Sequence, residues 1–377
     1  MKPLQGCRVL DLGIITAGAA TSALLADLGA DVIKIESSTY RDPFRLWTSE
    51  PAPAAGDDLP PFFRMTNRNK RSLGLDLKQS EGRDVFLRLA AECDIVVENF
   101  SRGVLDRLGI GYAALRQARS GIILASISSQ GETGPDANYV SFGSTLEAVA
   151  GLAWTTGYAG GVPTVSGIEL NYPDQVVALF AAAMIVTAWR ERKRTGQGAH
   201  LDLAQRELTS FLAGDAFAET AAGPIGNAQA DYVVQDCFVC ADGLWIAVSV
   251  APETMDAFAN IVGNDASAWA LTQSAAACLE RLRSAGITSR PVLDANDVMA
   301  GMGRDWHMAM QSMPDGRMVK GFPFQFSTDA MSVTRPAAAL GTHTRDILTE
   351  VGGFSPDEID RLIGLGVAQV AEKETVA

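Results

Sequence analysis

Histidine is scarce in this chain, with His200, His307 and His343 the only three in 377 residues. That leaves little material for a histidine base or a zinc site. Nor is there an HExxH, a GxSxG or a Walker A sequence. The five cysteines (Cys7, Cys93, Cys237, Cys240, Cys278) make no dense disulfide framework, so a reducing compartment is expected. Cys237 and Cys240 form a lone CxxC within the strand-like stretch DYVVQDCFVCADGLWIAVSV, and ordinary strand packing is its expected use. Positive charge is also short: 31 Lys and Arg face 44 Asp and Glu, a net charge of -13. Nucleic acid is therefore not an expected partner, because a phosphate backbone attracts net-basic surfaces. A small anion is still possible, since a few Arg, Lys and backbone N–H groups can hold phosphates inside an acidic protein. The longest apolar run, Val176 to Ala188, is 13 residues, which reads as a buried helix too short to span a bilayer. The start, MKPLQGCRVLDLG, leads into a strand with no apolar stretch and cleavage site before it. A cytoplasmic protein with no membrane partner is expected.

Hydrophobic residues make up 47% of the chain, enough for a large core and more than one domain. Residues 7–126 carry a strand–helix rhythm. CRVLDLG, DVIKIE, DIVVEN and GIILASIS read as strands. AATSALLADLG, SEGRDVFLRLAAEC and SRGVLDRLGIGYAALRQA read as helices. A right-handed crossover makes consecutive strands parallel, so the fold class is α/β with an open, mainly parallel sheet. A Pro-rich loop covers 51–62, and residues 129–173 are loop-rich. An apolar helix follows from about 174 to 193, then HLDLAQREL, a strand running into a helix. The expected domains are a large one in 1–200 and a smaller α+β one in 225–330. Residues 201–224 and 331–377 would link and return to the first. In the smaller domain, hairpins are expected around Ala241-Asp-Gly and Pro314-Asp-Gly. Ser355 and Glu358 suit a capping box near the end.

Several groups of residues carry possible chemistry. Gly13, Gly18 and Glu36 sit where a dinucleotide site would have them, but the loop reads GIITAG rather than GxGxxG. Gly18 then serves to let a helix begin close to its neighbour. The N–H groups of that helix start remain available to a phosphate or acyl group. Arg41, Arg45, Lys70, Arg71, Arg102 and Arg107 follow or approach strand ends, where a shared anionic ligand could gather them. Asp174 follows Pro173 and precedes the apolar helix. One reading makes it the helix cap. The other makes it a nucleophile that attacks a thioester carbonyl to form a mixed anhydride. That chemistry needs N–H donors for the oxyanion, which close backbone at Gly131, Gly134, Gly160 and Gly161 could offer.

The ordered blocks RVLDLG, TAGAATSALLADLGADVIKIE, RDPFR, NRNKRSLGLDLK, DIVVENFSRGVLDRLGIGY, SISSQGETGP, YPD, RERKRTGQGAHLDLAQRE and GTHTRDILTEVG span nearly the whole chain. In them the chain resembles the class III CoA-transferases, which include formyl-CoA transferase, carnitine CoA-transferase and α-methylacyl-CoA racemase. The resemblance implies a Rossmann-like large domain, a smaller domain and an interlocked homodimer. It implies Asp174 as the nucleophile, passing through an aspartyl anhydride and an aspartyl-CoA thioester. It implies CoA contacts from Ile15, Ala17, Arg45, Lys70, Asn99, Phe100, Val104 and Arg107, with Thr16 and Glu147 in support. No metal or tightly bound cofactor is implied; acyl-CoA is the donor and an organic acid the acceptor. Thr16 stands where formyl-CoA transferase has Gln, and its glycine-rich flap has no clear counterpart here. The racemase branch has a His where this chain reads GPDANYVSFG. An acyl-CoA racemase is the alternative enzyme, and a non-catalytic CoA-binding protein the alternative class.

Overall fold

The structure is a computed structural model describing residues 2–47, 59–167, 172–217, 223–300, 310–313, 316–321, 326–327 and 332–371, without the side chains of Asp215 and Met299. His307, most of the Pro-rich loop 51–62 and Pro314-Asp315 of the second turn lie outside the described residues. By contacts the chain divides into two compact units. The larger is Met1–Leu152, Val165–Ala218 and Met308–Ala377; the smaller is Ala153–Thr164 and Glu219–His307.

The larger unit is built on a seven-stranded sheet. Its strands are β1 (Arg8–Asp11), β2 (Asp31–Glu36), β3 (Arg71–Leu75), β4 (Ile95–Glu98), β5 (Ile123–Ser128), β6 (Ala199–Ala204) and, at one edge, the last strand of the chain (Ala368–Gln369). From that edge the order runs β3-β2-β1-β4-β5-β6. These six are parallel, and the edge strand is antiparallel to β3. The chain order reverses between β1 and β4, which opens a crevice at the strand ends. Both faces are covered, so the inner strands are apolar nearly throughout. Leu10, Ile33, Leu73 and Val96 pack on one side against Phe86, Leu89, Ile347 and Leu362. Val9, Val32, Ile95, Val97 and Ile123 pack on the other against Leu25, Val177, Ala181 and Ile185.

The helix Tyr172–Thr195, called the site helix below, differs from the expectation. At 24 residues it is long and apolar enough by length and composition to cross a membrane, a test that a buried core helix also passes. Polar turns at either end of the apolar run supply the added length. Its Val177, Ala181, Ile185 and Trp189 stripe is buried in the core. The strand β3 is a further departure. RSLGL carries an Arg and a Ser where a strand signal would be apolar, yet all five residues are buried. The expected helix 101–118 is two, Val104–Arg107 and Tyr112–Ala118, parted by Gly109 with φ 74° and Gly111.

The smaller unit has an antiparallel sheet of β7 (Val234–Val239), β8 (Trp245–Val250) and β9 (Thr288–Pro291). The hairpin turns at Ala241-Asp242-Gly243, as the dipeptide signal indicates. Cys240 is buried beside Cys278 in this unit's core, and Cys237 is half-buried. β9 gave no sequence signal, being four residues with an Arg and a Pro. The hairpin of β10 (Met310–Ser312) and β11 (Met318–Lys320) falls in the larger unit by contacts, whereas the sequence boundaries put it in the smaller. The antiparallel edge strand of the large sheet is thus β12.

Candidate active site

A cavity of about 720 Å³ opens at the carboxyl ends of the parallel strands, within the larger unit. Its wall is made by the residues that follow β1 to β6, where an open sheet of this order binds ligands. The loop after β1 forms the floor. Ile14, Ile15, Thr16 and Ala17 all line the cavity, and Ala17 opens the helix Ala17–Asp27. Ile15 holds a left-handed φ of 56°, a strained value for a β-branched residue. Two side chains hold the loop there. Asn99 grips Ile14 from both sides: its Oδ1 accepts the Ile14 N–H at 2.8 Å and its Nδ2 donates to the Ile14 carbonyl at 3.1 Å. Asp42 Oδ1 accepts the Ile15 N–H at 3.1 Å. The glycines make room. A Cβ on Gly13 would lie 2.5 Å from the Gly18 backbone, and one on Gly18 would lie 2.6 Å from Asn99 Oδ1.

Beneath this loop lies a buried ionic scaffold. Lys34 Nζ donates to the Gly13 carbonyl at 2.6 Å and to Asp42 at 3.0 Å. Lys70 Nζ donates to Asp11, to the Ala19 carbonyl and to Asn67, at 2.8, 2.8 and 2.9 Å. Arg45 pairs with Glu36 through two nitrogens, at 2.8 and 2.6 Å, and its guanidinium lies 3.9 Å from the Phe63 ring centroid. Glu36 in turn accepts the Asp42 N–H at 3.0 Å. Burial works against the Glu36 charge, and Arg45 with Lys34 overcomes it, holding the carboxyl below its ordinary value. Burial dominates at Lys70 and pushes its ammonium down to about 8, against the pull of Asp11. So Arg45 and Lys70, expected as cofactor contacts, do not line the cavity. Their charges are taken up inside the protein. Glu147 is also out of the cavity: it is buried and accepts the Ser166 N–H at 2.7 Å and the Ser166 hydroxyl at 2.6 Å. Arg71 is paired with Asp31 and Glu350.

The cavity's own basic residues are Lys78, Arg102 and Arg107. Lys78 follows β3; Arg102 and Arg107 follow β4. Phe100 and Val104 line the wall between them, and Phe100 meets Tyr40 edge-on with ring centroids 5.5 Å apart. Lys78, Tyr40 and Gln205 were missed by the sequence reading. Lys78 had a signal, because the block NRNKRSLGLDLK holds both lysines, and only knowledge of β3 says which one emerges at the strand end.

Asp174 and Gln205 line the same cavity, together with Ile127, Ser128 and Ser129 after β5. Asp174 is the third residue of the site helix, not the residue before it. Its Oδ1 accepts a hydrogen bond from Gln205 Nε2. A helix N-terminus favours an ionised carboxylate. Burial outweighs the Gln205 bond and pushes the Asp174 carboxyl up to about 6. Gly131, Gly134, Gly160 and Gly161 are not in the cavity wall, and the last two belong to the smaller unit. Ile14, Ile15, Thr16 and Ala17, from the loop after β1 and the helix it opens, line the cavity instead.

The strand order, the crevice at its reversal and a cavity that holds three basic side chains and a carboxylate define an α/β protein built for an anionic ligand. The profile of CoA-transferase family III matches residues 4–268, and the chain belongs to that family of enzymes. It is 31% identical over 402 residues to a probable CoA-transferase of Mycobacterium tuberculosis, covering 96% of this chain but only 50% of that protein. It is 29% identical to the succinyl-CoA:glutarate CoA-transferase of Mus musculus, over 99% of this chain and 92% of the other. The crystal structure of a CAIB/BAIF family protein from Brucella suis superposes with a TM-score of 0.84 at 25% identity, covering 93% of this chain and 99% of that one.

Proposed function

We propose that the protein is an acyl-CoA:carboxylate CoA-transferase with Asp174 as its nucleophile. The observation that carries this is that one cavity holds three basic side chains together with the Asp174 carboxylate. Lys78, Arg102 and Arg107 stand where β3 and β4 end; Asp174 and Gln205 stand beside β5 and β6. CoA laid along the wall sets its phosphates against the basic side chains and its thioester against Asp174. Phe100 and Tyr40 offer the adenine an aromatic surface, and Arg a fork for phosphate. Ile15, Ala17 and Asn99 shape the floor that the pantetheine arm crosses. Thr16 opens the same floor.

The chemistry then follows from the carboxylate. A free Asp174 oxygen bonds to the thioester carbon, and the C–S bond breaks to release CoA thiolate. First-turn N–H groups of a helix have no helical partner of their own, and those of the helix that Ala17 opens in the same cavity are the donors this reading assigns to the oxyanion. Thiolate returns to the aspartyl carbon, the donor acid leaves as carboxylate, and an aspartyl-CoA thioester remains. An acceptor carboxylate reverses the two steps and departs as its CoA ester. The family resemblance supports a Rossmann-like larger domain and an interlocked homodimer, and the lack of a dense cysteine framework fits a cytoplasmic setting. The apolar side chains of Leu179, Phe180 and Met184, exposed on the site helix, fit a covered face in such a dimer.

A panel of acyl-CoA donors against organic acids tests the reading, with succinate and glutarate included because a similar protein is named for them. New acyl-CoA read by mass spectrometry is expected, and Asp174→Asn is expected to abolish it. Exchange of an α-proton in D₂O with no acceptor acid would point to a racemase instead. Tight CoA binding with no product from any pair would point to a binding protein.

A further inference from the structure

Gln205 is the first residue of the helix Gln205–Leu212, directly after β6. Its backbone is fixed on both sides. Ala204 is paired with Ser128 of β5, and the Arg206 N–H donates to the Ser129 carbonyl at 3.1 Å. The Gln205 carbonyl accepts from the Thr209 hydroxyl at 2.8 Å. The residue is 7% exposed, and its side-chain amide is bonded to Asp174 Oδ1. Among the described residues no second bond to either Asp174 oxygen is present. Oδ1 is held and Oδ2 is free.

That asymmetry matters because Asp174 has two different parts to play in the transfer. As nucleophile it uses Oδ2, which becomes the bridging oxygen of the anhydride. Oδ1 is then the aspartyl carbonyl oxygen. When thiolate attacks the aspartyl Cγ, the carbonyl electron pair moves onto Oδ1. The pair returns as the bond from Cγ to Oδ2 breaks, and the donor acid leaves with Oδ2 in its carboxylate. When the acceptor carboxylate attacks the aspartyl thioester, charge lands on Oδ1 again and CoA thiolate leaves. Acyl attack and aspartyl attack therefore place charge on different oxygens. The helix start at Ala17 is assigned to the first under the reading above. We propose that Gln205 is a catalytic residue that stabilises the second, donating its amide hydrogen to the oxyanion on Asp174 Oδ1 in both attacks at the aspartyl carbon.

This rests on the CoA-transferase reading above. Gln205→Met keeps the length of the side chain and removes the donor. Its kcat is expected to fall by about 100-fold, while KM for acyl-CoA stays within about threefold. Rapid quench and mass spectrometry of the variant are expected to find acyl anhydride on Asp174 in place of the aspartyl-CoA thioester. A packing role would not change that ratio. The acid limb of kcat/KM should also move up from about 6, because burial of Asp174 then has no opposing hydrogen bond. Gln205→Glu guards against misfolding of the first variant. The introduced carboxyl shares one proton with Asp174, so activity is expected to gain an alkaline limb where that proton is lost. Unchanged kcat and adduct ratio in Gln205→Met, or no alkaline limb in a folded, CoA-binding Gln205→Glu, would overturn the proposal. Full transfer by Asp174→Asn would instead remove the reading on which it rests.

Discussion

An ionised carboxylate at position 174 works against the fold that holds it. The folded protein raises the carboxyl from an ordinary 3.8 to about 6, so it binds the proton more tightly than the unfolded chain does. Stability from this group is present below pH 3.8 and is lost as pH rises through about 6. At about 1.4 kcal/mol per pH unit, the ionised native state is disfavoured by on the order of 3 kcal/mol at neutral pH. Asp174→Asn should therefore melt higher than the parent at pH 7.5 and lose that advantage near pH 3.5. Scanning fluorimetry at both values checks this, and an equal or lower melting temperature at pH 7.5 would contradict it. Glu98 acts in the same direction. Burial pushes it up to about 7 although it accepts the Phe100 N–H at 2.8 Å, so it too loses stability as pH rises from 4.5. In the sequence Asp174 stood out through its motif. Gln205 gave no such signal, because its meeting with Asp174 depends on where β6 ends against the site helix.

At the scale of elements, the loop after β1 is the part the fold works hardest to place. Asn99 on one side and Asp42 on the other fix a strained turn, and buried Lys34 and Lys70 anchor the strand beneath it. Asn99→Leu keeps the volume and drops both bonds to Ile14. KM for acyl-CoA is expected to rise by about tenfold, with kcat falling less; steady-state kinetics with CoA esters read this directly. Lys70→Ala should act differently. It strands Asp11 as an unpaired buried charge, so a loss of about 3–5 kcal/mol in unfolding free energy is expected, measured by denaturant titration. Arg107→Ala and Lys78→Ala, by contrast, should raise KM for acyl-CoA and leave the unfolding curve in place. If Lys70→Ala instead changed KM alone, Lys70 would be a ligand residue and not scaffold. Sequence blocks marked the right segments but not the direction of each side chain. RSLGL is too polar to announce β3, and without that strand Lys70 and Lys78 look alike. Arg45 follows β2, as a ligand residue would, but Glu36 at the end of the same strand takes its charge.

Across the whole molecule, strand order turns a one-dimensional list of motifs into a polar cavity. The four apolar strands β1, β2, β4 and β5 were legible as short hydrophobic runs, and β6 as the strand leading into HLDLAQREL's helix. The pairing of the chain's final strand with β3 was not, because two residues carry no periodicity. Sedimentation velocity offers a test at this scale: an interlocked homodimer should keep its mass on dilution, whereas a monomer would contradict that arrangement. In the proposed reaction one Asp174 oxygen bonds to the acyl carbon carried by CoA, and mass spectrometry can find that bond. Enzyme incubated with acyl-CoA and trapped with hydroxylamine or borohydride should carry its modification on Asp174. An active enzyme in which Asp174 is recovered unmodified, with the label elsewhere, would contradict it.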